Sequence, residues 1–147
     1  MRCGARIRTV SLGGATLVRL NLQLDSRAEM LIASISGERP AHDDDALEGF
    51  IEMWGCVSDC CRDNHVRRVL TLISVVGEGS SMLALKFFLQ LESFAYERCI
   101  RTAIVFPTPR RRKVSQIGVD IALKRGWDMR SFDEEIQARQ WLGVEPS

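Results

Sequence analysis

From residue 16 to residue 25 the chain reads TLVRLNLQLD. Arg19, Asn21 and Gln23 interleave there with Val18, Leu20, Leu22 and Leu24. A period of two marks a strand with one buried face. Residues 30–36 (MLIASIS) predict a second strand, closed by Gly37 and Pro40. The two strands fit an antiparallel hairpin through residues 26–29, and residues 7–12 predict a short additional strand. The pattern then changes period. Asp43, Asp44 and Asp45 stand at an expected helix start, where carboxylates suit the dipole and can cap free N–H groups. Leu47, Phe50, Ile51, Trp54, Val57 and Cys61 follow at i, i+3, i+4 spacing, the apolar stripe of a helix of about five turns.

Residues 69–76 (VLTLISVV) form a β-branched apolar run, which predicts a strand buried on both faces. Residues 80–97 predict a helix with one narrow polar stripe, Lys86, Gln90, Ser93 and Glu97, so it must be covered on most sides. Residues 102–106 (TAIVF) predict a short strand ending at Pro107. Residues 110–125 predict a helix with Val114, Ile117 and Ile121 inward and Gly126 at its C-cap. A final strand over residues 127–132 leads to a last helix through Leu142, capped from residues 131–134 or by Asp133. Strands alternating with helices predict an α/β domain: a mixed, mostly parallel sheet with an N-terminal antiparallel hairpin and about four helices. No repeat or linker divides it, so residues 1–147 read as one domain with a core over about 16–142.

Bulk properties narrow the function. The chain has 147 residues, the size of one ordinary domain, and needs no metal or disulfide staple. Its net charge of +1 gives no global field to recruit nucleic acid or an anionic membrane, so no nucleic-acid partner is expected. No apolar run reaches the ~18 residues of a membrane span, and Met1 to Gly14 lacks the apolar core of a signal peptide. Five cysteines, an odd count without a secretory signal, suggest reduced thiols in the cytoplasm.

The closing segment carries a family-like pattern. A strand ending in Phe132, then Asp133-Glu134-Glu135, then Ala138-x-x-Trp141-Leu142, preceded by Arg125-Gly126, is similar to the SpoIIAA-like family of the STAS-type fold. Ile35-Ser36-Gly37 before the helix from Asp43, and the strand Val69 to Ser74, resemble the same family's upstream elements. The resemblance covers roughly residues 16–142. It implies a mixed sheet with helices packed against it and a bacterial regulatory domain without enzyme activity.

Three places could carry chemistry. The first is Gly77-Glu78-Gly79-Ser80-Ser81-Met82. It lacks the lysine of a Walker phosphate loop, the third glycine of a dinucleotide fingerprint and the G-x-S-x-G of a nucleophile elbow. In sigma-factor antagonists that resemble this fold, the same turn carries an Asp-Ser-x-Gly phosphorylation site. The resemblance places Ser80 at the phosphoacceptor position, with Ser81 beside it, but the Asp and the Gly are absent. A helix cap on Ser80, a phosphoswitch and an anion cradle built on Gly77, Gly79 and Ser80 all remain open.

The second place is Arg110-Arg111-Arg112-Lys113 at a helix start, where cations oppose the dipole and a bound anion would relieve them. It leaves the carboxyl end of a strand, the edge where open α/β sheets take ligands. A solvated turn balanced by Asp43–Asp45 or Glu134 and Glu135 is the plainer account. The third is Cys56-x-x-x-Cys60-Cys61 with His65 nearby. Helical spacing puts Cys61 in the core stripe and Cys56 nearly opposite, so no metal site and no cofactor is expected. A redox role for Cys56 or Cys60 stays open.

The leading expectation is a non-catalytic regulatory or interaction domain. It would bind a protein partner or a small anionic ligand at Gly77, Gly79, Ser80 and Arg110 to Lys113. The alternatives are a lipid or apolar-ligand binder, or a small enzyme using Ser or Cys with His42 or His65. The oily helix also allows a homodimer.

Overall fold

A computed structural model of the chain describes residues 6–11, 19–26, 30–39, 42–76, 80–93 and 96–143. Its elements in order are β1 (Arg6–Ser11), β2 (Arg19–Ser26), β3 (Leu31–Glu38), α1 (Asp43–Asn64), β4 (Arg68–Val76), α2 (Ser81–Leu89), β5 (Arg101–Val105), α3 (Pro109–Lys124), β6 (Met129–Phe132) and α4 (Glu135–Leu142). The strands lie side by side in sequence order. From β3 to β6 the sheet is all parallel, with registers such as Ile35↔Ile73, Leu70↔Ala103 and Val105↔Phe132. The expected turn at residues 27–29 and the glycines Gly77 and Gly79 lie outside the described residues.

Alternation along the parallel strands sorts side chains onto two faces. Leu31, Ala33, Ile35, Val69, Ile104 and Met129 face α1 and α2, which contribute Met53, Trp54, Val57, Phe87 and Phe88, and α3, which contributes Val119 and Ala122. Leu70, Ala103 and Phe132 face the other way, against Ala138 and Leu142 of α4. The topology explains this split. Each crossover advances one strand in one direction, and crossovers of one hand then place their helices on one face. Among the described residues, α4 after β6 is the helix left for the opposite face.

The local signals for the helix ends hold in part. Asp43, Asp44 and Asp45 occupy the first turn of α1, where they face the positive end of the dipole, but the N-cap residue is His42, without a side-chain cap. Gly126 follows α3 with φ +99°, and Trp127 N–H returns to the Ala122 carbonyl at 3.1 Å, closing the helix in a Schellman turn. His65 does the same for α1 at φ 56°, and Val66 N–H bonds the Cys61 carbonyl at 3.0 Å.

Several expectations are corrected. The helix expected over residues 80–97 stops at Leu89. Beyond it the Ser93 hydroxyl bonds the Gln90 carbonyl at 2.7 Å, a local alternative to helical pairing, and Tyr96 turns inward to Thr102 at 2.6 Å. On α3 the buried positions are Gly118, Val119 and Ala122, while Ile117 is 52% exposed and Val114 and Ile121 are half-buried. The last strand is shorter, Met129–Phe132. The N-cap of α4 is Glu134 without a side-chain bond, and Asp133 pairs with Arg112 at 3.0 Å. Among the described residues no helix is long and apolar enough to cross a membrane.

Candidate functional site

The carboxyl edge of the parallel strands gathers the N-termini of α1, α2 and α3. Ser80 is the N-cap of α2: its Oγ accepts from Leu83 N–H at 3.1 Å and donates to Asp43 Oδ2 at 3.4 Å. Asp43 also pairs with Arg39, which stands one residue beyond β3. One carboxylate therefore ties the end of β3 to the starts of α1 and α2.

On α3, Thr108 is the N-cap and accepts from Arg111 N–H at 3.1 Å, with Pro109 in the first turn. Arg111 reaches across to the end of β4, where its Nη2 donates to the Val75 carbonyl at 2.9 Å. Arg112 turns the other way. Its Nε donates to Ser131 Oγ at 2.9 Å and its Nη1 pairs with Asp133 at 3.0 Å. The cations that oppose the dipole of α3 are thus partly offset within the chain, by a strand-end carbonyl and by one carboxylate.

Beneath these helix starts lies a cavity of about 100 Å³ that opens to solvent. Its floor is Ile73 and Val75 of β4 with Ile104 and Phe106 at the end of β5. Its walls are Phe50 and Trp54 of α1 and Leu83, Ala84, Phe87 and Phe88 of α2. The polar lining is Arg39, Ser80, Arg111 and Ser115. The aromatic walls are themselves ordered edge to face. Trp54 and Phe87 stand 5.4 Å apart at 62°, and Phe50 and Phe87 stand 6.5 Å apart at 72°.

Of the residues expected at a site, the fold brings Ser80 and Arg111 together at this cavity. Ser81, Arg110 and Lys113 are exposed and outside its lining, and Arg112 serves the contact with β6. Arg39 and the aromatic walls were not anticipated. Arg39 follows β3 directly, so the rule that ligands gather at strand carboxyl ends could have singled it out.

Among the described residues no group of three or more His, Cys, Asp or Glu could hold an ion. Cys60 and Cys61 are buried, Cys56 is half-buried and Cys99 is exposed. Burial, reinforced by Cys60, Glu97 and Cys99, pushes the Cys61 thiol up to about 12, so it is no nucleophile at neutral pH. His42 and His65 flank the two ends of α1, whose 22 residues span roughly 33 Å, so they cannot share one site. No family model matches the chain, and no curated protein matches it.

Proposed function

We infer that this chain is a non-catalytic binding domain that takes a small anion-bearing ligand into the cavity at the carboxyl edge of its sheet. The observation that carries the reading is the arrangement of the lining: an apolar pocket whose polar groups include two guanidiniums, Arg39 and Arg111, beside the capped start of α2. Binding sites are commonly apolar with a few placed polar groups, and they favour this edge of open α/β sheets. The order of the elements and the resemblance of the closing segment support placing the domain with the SpoIIAA-like regulatory group. An antiparallel hairpin of β2 and β3 belongs to that reading, supported by the backbone register Leu22↔Ile35. A cytoplasmic setting is supported by the odd count of five cysteines, which suits reduced thiols.

The surroundings of Ser80 weigh against a phosphoswitch there. A phosphoryl group on its Oγ would displace the cap on Leu83 N–H and face the Asp43 carboxylate, a like charge. A regulatory output through a protein partner is compatible with ligand binding, since three helices meet the cavity.

A thermal-shift titration with nucleotides and phosphorylated or carboxylated metabolites tests the reading. A ligand at a hundred times its Kd should raise Tm by about 5–10 °C in a domain of this size. The shift should vanish in Arg111→Ala and persist in Arg110→Ala, whose side chain is exposed outside the cavity. A panel of anions that leaves Tm unmoved would remove the reading.

A further inference from the structure

We propose that the outer face of α2 and α3 docks against a second copy of this chain, with the two α3 helices antiparallel across a two-fold axis near Ile117, a contact independent of what fills the cavity.

The apolar pattern of α3 has two sides. Gly118, Val119 and Ala122 are buried against α2 and the sheet. Val114, Ile117 and Ile121 repeat at i, i+3, i+7 on the side turned away from the sheet, where Val114 and Ile121 are half-buried and Ile117 is 52% exposed. Helix α2 repeats the device. Leu83 and Phe87 are buried, while Met82, Leu85 and Leu89 run along the outer side at the same spacing, Met82 57% and Leu89 40% exposed. Gly118 lies directly against Ala84 and Phe88, so the helices approach closely and the two outward stripes adjoin in one face. Single apolar residues scattered over a surface are ordinary, whereas a contiguous apolar face marks an interaction site.

Charge selects the occupant. With Val114, Ile117 and Ile121 as the a and d seam of a heptad, Lys113 and Asp120 fall at successive g positions, and both are exposed. In an antiparallel pair the g positions of the two helices face each other. Val114 of one copy then layers on Ile117 of the other, and Lys113 of each copy meets Asp120 of the other. The Gln116 side-chain amide donates to Asp120 Oδ1 at 2.8 Å and so orients that carboxylate in advance. The face is thus its own complement, as a closed two-fold dimer requires. Exposed ion pairs add little affinity, so the apolar stripes drive association and the charges set its register.

Sedimentation equilibrium of the full chain over a range of concentrations tests this. Two helix faces make a small interface, so the expected Kd is about 10–100 µM. Ile117→Lys should stay monomeric at every concentration with an unchanged circular dichroism spectrum, because its side chain is already half in water. Ile136→Lys, on α4 and similarly exposed, should dimerise like the wild type. Lys113→Asp and Asp120→Lys should each self-associate at least about threefold more weakly, and the two variants mixed should form a heterodimer at wild-type affinity. A wild-type chain still monomeric at about 1 mM would overturn the proposal. A dimer that survives Ile117→Lys would overturn the surface. A dimer lost in Ile117→Lys but indifferent to both charge variants would overturn the antiparallel register. A monomer that sediments with phosphatidylcholine vesicles, and is released from them by Ile117→Lys, would give the face to a lipid surface instead.

Discussion

The Cys61 thiol lies against Cys60 in the buried face of α1 and stays protonated in the folded chain far above its ordinary range. The thiol is neutral when protonated, so burial stabilises the acid form. Its folded value, about 12, lies above the unfolded value of 9.0. Its contribution is therefore fully present below pH 9 and is lost as pH rises from 9 towards 12, at about 1.4 kcal/mol per pH unit. Tyr96, buried and bonded to Thr102, is pushed in the same direction from 10.0 and adds a parallel loss at the alkaline end. Urea titrations at pH 8, 10 and 11 should show stability falling more steeply in the wild type than in Cys61→Ala. Equal slopes would mean that Cys61 ionises freely in the folded state. At this scale the sequence was informative: helical spacing alone placed Cys61 inside and Cys56 away from it. It could not reveal that Arg111 and Arg112 part company, because neighbouring arginines look alike until β4 and β6 supply different partners.

Helices α2 and α3 pack through their small residues. A Cβ placed on Gly118 would run into the Phe88 ring and come 2.9 Å from the Ala84 carbonyl oxygen, which is backbone and cannot swing aside. Gly118 therefore sets how closely the two helices approach. Gly118→Ala gains up to about 1 kcal/mol in helix propensity but forces the helices apart at a cost of roughly 1–3 kcal/mol. We expect a net loss of Tm and, on the proposed reading of the cavity as a binding site, weaker ligand binding, since Ala84 and Phe88 also line it. A variant with raised Tm would show that the helices relax freely. The same contact explains why the inward face of α3 was misread. Val114, Ile117 and Ile121 have the greater hydrophobicity and the correct period, yet close packing favours the side with Gly118 and Ala122. The end of α2 was hidden for a related reason: apolar content continues past Leu89, and only the turn of Tyr96 toward Thr102 shows that the burial there is no longer helical.

At the scale of the molecule, among the described residues one face of the sheet carries three helices and the other carries α4 alone. Trp141 holds that helix, with its ring 5.7 Å from Phe132 and the Arg101 guanidinium 4.1 Å above it. Trp141 is half-buried, so Trp141→Ala should cost about 2 kcal/mol, less than a fully enclosed tryptophan. Hydrogen exchange should show faster exchange in α4 and unchanged protection in β3 and β4. Unchanged α4 amides would mean that Ala138 and Leu142 suffice to dock it. The alternation of strands and helices was readable because parallel strands need crossovers. The cavity was not, since its walls come from three helices and three strand ends far apart in sequence.

The strand order also bears on how the chain finds this arrangement. Partners in successive pairs, Leu31 with Val69, Val69 with Thr102 and Thr102 with Met129, are separated by 38, 33 and 27 positions. Closing these three loops differs in entropic cost by only about 0.3 kcal/mol. No strand must wait for a later one to be inserted between it and its neighbour. Assembly can therefore advance from β3 toward the C-terminus as the polypeptide leaves the ribosome, each new unit docking on an edge already in place.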